Sequence, residues 1–337
     1  MLSASALLLC LPALAADVHV RVDPAAPHAD PGNEGLTVFP TIQNALDHHP
    51  FATPNADGTP GRVFIEITPG TYHERIIVTQ NHTNITLLGM GKSPEEVVIT
   101  NSLNAKTAGG TFFTETAEIN GDGFEADNLT LENSAGNTGQ AVAAAVRADR
   151  VVFKHCRFLG HQDTLFADYG RQYYVDSYLE GGVDYIFGNA TAVFERDELH
   201  SNGPGFITAQ SRTAPDQTTG YVILNSKVTS TSELGGRSIG LGRPWRAYSR
   251  VVYLNTSLPA ELAAAGWNNW GKTANEATAY YAEYHSSGPG ANDAARVPWA
   301  HQLTQREMQQ YLPQHFLGGP AKGPGHWDAV AAAAKLR

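Results

Sequence analysis

The chain has 337 residues, a formal net charge of −10, 42% hydrophobic residues and only 17% charged ones. That length suits one large domain or two ordinary ones, and the composition, with 33 glycines, excludes a disordered chain and fits a turn-rich β protein. The acidic balance argues against a general nucleic-acid binder and gives no overall electrostatic help with a polyanionic substrate.

Residues 2–14 are nearly all apolar or small and run into Ala-x-Ala before Asp17. This reads as a signal peptide over 1–15, cleaved after Ala15, with residues 16–337 as a single domain. A buried N-terminal strand is the alternative, because basic residues are missing at the very start. The stretch is too short to span a bilayer. Its removal takes away Cys10 and leaves Cys156 alone, so no intrachain disulfide is expected. A secreted or periplasmic protein follows, with no membrane span, acting as a monomer.

The apolar spacing after Pro40 predicts a short helix over 41–46. Beyond it, runs rich in β-branched and aromatic residues recur at 63–67, 76–78, 85–88, 97–99, 129–131, 151–153, 173–175, 192–194, 221–224 and 251–254. Gly, Asn and Pro punctuate them, and no long helical pattern lies between, so a βαβ sheet is excluded.

Two segments are near copies. Residues 153–163 read FKHCRFLGHQD and residues 174–184 read YVDSYLEGGVD. Phe153 matches Tyr174, Cys156 matches Ser177, Gly160 matches Gly181 and Asp163 matches Asp184, each offset by 21 residues. Positions equivalent to Cys156 recur at Asn128, Ser177, Asp197, Ser226 and Thr256. Steps of this length fit the coils of a parallel β-helix, an all-β solenoid that stacks on a shared core. Adjacent rungs lie about 4.8 Å apart, so Asp163 and Asp184 come within reach of one another. Two close acids form a reaction centre more often than a structural accident, although either alone could cap a turn.

After residue 260 the pattern changes. Trp267 to Trp270 and Tyr280 to Tyr284 suggest a last coil, and 285–298 read as loop. Thr304 to Glu307 forms a capping box, and 328–336 form a closing helix. These C-terminal elements are expected to cover the open end of the solenoid.

Five segments stand in order: GTYHE at 70–74, QAVAA at 140–144, GHQDT at 160–164, DYIFG at 184–188 and LGRPW at 241–245. Together they closely resemble the signature of pectin methylesterases, over roughly residues 30–320, and point to a bacterial-type secreted member. The resemblance implies a right-handed parallel β-helix with a short N-terminal helix and a C-terminal helical or loop cap. It implies hydrolysis of galacturonate methyl esters in pectin, releasing methanol, with no cofactor or metal.

Physical roles follow for the matched residues. Asp184 suits the nucleophile, with Arg243 beside it lowering its pKa. Asp163 suits the acid that protonates methanol and then the base for water. Gln140 and Gln162 offer neutral donors to the oxyanion. The resemblance places Trp245 against the sugar and Thr111 near it. Phe166, Tyr185, Phe187, Trp267 and Trp270 are further candidates for the cleft wall, with packing an equal alternative for Phe187 and Trp270. Phe166 stands where the family commonly has tyrosine. Tyr72 and Glu74 read as structural.

Gly236 to Gly240 matches Gly-x-Ser-x-Gly, but no strand precedes it and LGRP follows, so Ser238 is a chance match. The 13 histidines show no metal-ligand spacing. Two other functions stay open. One is a polygalacturonase or lyase on the same fold, and the other is a carbohydrate-binding relative without catalysis.

Overall fold

The computed structural model describes residues 17–26, 36–55, 58–232, 234, 238–320 and 325–336. The expected signal segment and Cys10 lie outside them. Among the described residues, strands form three sheets, of twelve, seven and seven strands. Neighbouring strands pair in parallel, and each coil contributes one strand to each sheet in turn. This is a right-handed parallel β-helix.

The 21-residue repeat is one full coil. Phe153 pairs with Tyr174 in the twelve-stranded sheet, and Arg157 pairs with Tyr178 in a seven-stranded one. Inward side chains of successive coils therefore stack. Phe153 lies on Tyr174 at 5.2 Å and Tyr174 on Phe194 at 4.6 Å, all fully buried. Such stacks add to the burial of large apolar faces.

A polar column runs beside the aromatic one. Ser177 Oγ accepts from Cys156 N, Asp197 Oδ1 from Ser177 N, and Ser226 Oγ from Asp197 N, at 2.8–3.0 Å. Asn128 does not belong to it. Thr130 pairs with Arg157, which puts Leu129 beside Cys156 and Asn128 beside His155. Asn128, His155, Asp176, Arg196, Asn225 and Asn255 all take left-handed backbone angles, φ 48–58°. That corner tolerates Asn and Asp best, so the repeat reading was one residue out of register at this rung.

Both ends of the described solenoid carry packed elements. The helix Ile42–His48 is capped by Thr41, and Glu74 accepts from the amides of Ile42 and Gln43. The Tyr72 hydroxyl donates to Thr68 O, so Tyr72 and Glu74 are structural. At the other end, the short strand His301–Gln302 pairs with the strand before it, Tyr280–Tyr284. Contrary to the expectation from sequence, the helices Gln305–Met308 and Ala329–Lys335 do not close the end. They fold back across the outer face of the twelve-stranded sheet, burying Met308, Trp327 and Ala333 against Tyr173, Val193 and Val222. The apolar outer face of that sheet would otherwise be exposed to water.

Candidate active site

The site lies on the outer face of the seven-stranded sheet that holds Leu165–Tyr169, Ile186–Gly188, Phe206–Gln210 and Gly240–Gly242. Just before these strands, isolated parallel bridges stack Gln140 on Gln162 and Gln162 on Val183. Asp163 and Asp184 follow in the next column, each with a left-handed backbone, φ 63° and 49°. The Asp163 amide donates to Val183 O and the Asp184 amide to Phe206 O. The kink turns both carboxyls outward while the chain on either side stays in the ladder.

Arg243 reaches in from the end of Gly240–Gly242. Its Nε donates to Asp184 Oδ1 at 2.9 Å and its Nη2 to Oδ2 at 2.6 Å. The guanidinium lies 3.9 Å from the centroid of a Trp270 ring. Burial pushes the Asp184 carboxyl upward, and the Arg243 hydrogen bonds and charge pull it back without fully reversing that rise. The expected lowering is therefore only a partial offset. Asp163 lacks this grip. Burial first, and then the Asp184 charge, push it up to about 8, with Arg243 opposing. The two acids titrate as one coupled system, with the proton favoured on Asp163.

A pocket of about 250 Å³ brings together Asp163, Asp184, Gln140, Gln162 and Arg243, with Thr111, Phe187, Trp245 and Trp270 around them. Nine of the twelve residues expected in the site thus share one hollow. The other three do not line it. Tyr185 is fully buried in the core, its hydroxyl 3.3 Å from Ser201 Oγ. Trp267 is also core, stacked on Tyr281 at 4.4 Å. Phe166 lies beside the hollow, packed on Phe187 at 4.7 Å and on Phe112 at 4.8 Å.

Sequence reasoning missed Phe112, which lines the pocket and is 44% exposed. Its signal was present: two adjacent phenylalanines after Gly109 and Gly110, in no apolar periodicity. Ala209 also lines the pocket and carried no signal. Thr114 fixes this rim, its Oγ1 donating to Thr111 O and accepting from Val142 N. Ser238 is exposed and is followed by the strand Gly240–Gly242, so the nucleophile-elbow geometry is absent.

A family model described as Pectinesterase matches residues 31–320. Pectinesterase 31 of Arabidopsis thaliana is 39% identical over 295 residues, covering 84% of this chain and 90% of that protein. Among solved structures, the pectin methylesterase from carrot superposes with a TM-score of 0.79 at 32% identity, covering 90% of this chain and 94% of that one. A pectin methylesterase in complex with a hexasaccharide superposes with a TM-score of 0.70 at 26% identity, covering 92% and 98%. The two relatives named with a source are plant proteins, which lends no support to a bacterial type. None of these similarities favours a polygalacturonase, a lyase or a binding-only solenoid.

Proposed function

This chain belongs to the pectinesterase family, and from that premise we propose that it hydrolyses galacturonate methyl esters in pectin through Asp184. The observation that carries this reading is the unequal pair: Asp184 held by two Arg243 hydrogen bonds, Asp163 on the adjacent rung without them, both facing one pocket.

Asp184, ionised, attacks the ester carbonyl carbon. The carbonyl π electrons move onto oxygen, which accepts hydrogen bonds from the amide donors of Gln140 and Gln162. Donors of this kind are worth about 10²–10³ in rate each. Collapse restores the carbonyl and breaks the bond to methoxide, which takes the proton of Asp163 and leaves as methanol. The remaining species is a mixed anhydride between galacturonate and Asp184. Asp163, now a carboxylate, accepts a proton from water as that water attacks the galacturonyl carbon. Asp184 departs as carboxylate and Asp163 is restored to the acid form. The net products are methanol, galacturonate carboxylate and one proton.

The aromatic rim of Trp245, Phe187 and Phe112 suits the apolar face of a pyranose ring. Secretion and action as a monomer belong to the same proposal, since the polymer lies outside cells. Among the described residues no helix is long and apolar enough to cross a membrane. The N-terminal residue of the mature protein, read by mass spectrometry, tests cleavage after Ala15.

The central test is Asp184→Ala, assayed for methanol from methylated pectin. Methanol release should vanish while cooperative unfolding persists. Undiminished release would remove Asp184 as nucleophile, and a viscosity drop without methanol would point to chain cleavage instead.

A further inference from the structure

A second pocket, of about 550 Å³, opens at the corner where the catalytic sheet turns into the twelve-stranded one. Arg212, Arg250, Tyr248 and Tyr280 line it. Both guanidiniums are half-buried, and the Nε of each is buried without a hydrogen-bond partner. Burial lowers both pKa values, and for Arg250 the neighbouring Arg212 charge adds to that. The chain's other site arginine, Arg243, is closed onto a carboxylate. Among the described residues, Arg212 and Arg250 have only backbone acceptors for their side chains, Pro215 O and Gln217 O. Asp216 also faces the pocket and attracts Arg212, without an ion pair.

The pair is held together deliberately by the fold. Gln210 Oε1 accepts from Arg212 N at 3.0 Å and from Arg250 N at 2.9 Å. One side chain therefore fixes two cationic residues of successive coils side by side. Two like charges, half desolvated and with no carboxylate hydrogen-bonded to either, are costly unless an anion completes them. Planar guanidiniums match carboxylates through paired N–H donors.

The pocket also adjoins the reaction site. Trp245 lines one hollow and Tyr248 the other, and three residues of chain span at most about 11 Å. Between them Arg246 lies exposed, its guanidinium 4.9 Å from the Trp245 ring. Cations thus lead from the ester site to the second pocket, against the chain's overall acidity.

We infer that Arg212 and Arg250 form a carboxylate-binding site that takes a free galacturonate unit of the demethylated chain, beyond the reacting ester. The choice of a uronate rests on the esterase reading, whereas the preference for an anion rests on the two arginines alone. Such a site would hold the product end of a polymer while the next ester is presented.

Trigalacturonate is the probe, since it carries no ester and its failure to bind leaves the esterase reading intact. Calorimetry on the intact protein should give saturable binding that weakens as salt rises. Arg212→Gln with Arg250→Gln should weaken it at least tenfold, and Trp245→Ala should weaken it less. In the unaltered protein, trigalacturonate should protect Arg212 from phenylglyoxal, a readout that does not depend on a variant folding. Equal binding by the double variant, loss on Trp245→Ala alone, or no protection of Arg212 would overturn the site. Tighter binding of inorganic phosphate than of trigalacturonate would overturn the uronate assignment.

Discussion

Arg243 meets Asp184 edge-on, Nε to Oδ1 and Nη2 to Oδ2, while Trp270 lies against the guanidinium at 3.9 Å. The carboxylate is thus fixed in direction as well as in charge. Lysine would keep the charge and lose the fork. Arg243→Lys should therefore lower kcat for methanol release by about 10²-fold or more. With the two hydrogen bonds gone, the Asp184 pKa rises further, so the acid limb of the pH profile should move to higher pH. A lysine variant with unchanged kcat and profile would show that the paired contact is dispensable.

Asp163 gives the opposite limb. In the proposed mechanism it must carry a proton to protonate methoxide, and its pKa is pushed up to about 8 by burial and by Asp184. The initial rate of methanol release, corrected for spontaneous ester hydrolysis, should fall as pH rises through about 8. It should fall again in acid, where Asp184 loses its charge. Both limbs belong to the coupled pair. A rate that stays level well above pH 8 would exclude Asp163 as the acid.

Trp267 and Trp270 separate packing from function. Trp267 is 3% exposed and stacked within the core, whereas Trp270 lines the pocket over Arg243. Trp267→Ala should cost roughly 3–5 kcal/mol in urea unfolding, with residual folded protein turning over normally. Trp270→Ala should cost far less stability and instead lower kcat, because the guanidinium loses its backing. Equal effects of the two on turnover would contradict this division.

That division also marks how far the sequence was legible. The coil length and the Asp163–Asp184 relationship could be read because the 21-residue offset repeats identical chemistry on adjacent rungs. The direction of individual aromatic side chains could not. Trp270 has φ 59° and Asp184 has φ 49°, and each left-handed residue breaks the in-out alternation that would assign its neighbours. Tyr185 therefore turns into the core directly beside Asp184. Asn128 was misplaced by one rung position for a related reason. An asparagine at the left-handed corner and the Leu129 after it both fit an apolar frame, and only the strand pairing separates them. Phe112 was missed because it sits in a short 3-10 turn, Thr111–Phe113, outside any repeat.

The polar column gives a prediction about stability alone. Asp197 occupies a place held by Ser177 on one side and Ser226 on the other, and it is 1% exposed. Its Oδ1 accepts from Ser177 N at 2.8 Å, but its Oδ2 is buried without a partner. Burial pushes this carboxyl well above the usual carboxylate range, which favours the neutral form in the folded protein. An unfolded Asp ionises near pH 4. Folding then binds one more proton than the unfolded chain, and the stability associated with Asp197 declines as pH rises above 4. Asparagine has the same shape, keeps the acceptor for Ser177 and never ionises. Asp197→Asn should match the parent protein near pH 4 and melt higher at pH 7, by about 5 °C or more. Melting curves at the two pH values decide the point, and a variant less stable at pH 7 than at pH 4 relative to the parent would mean that Asp197 is ionised in the folded column.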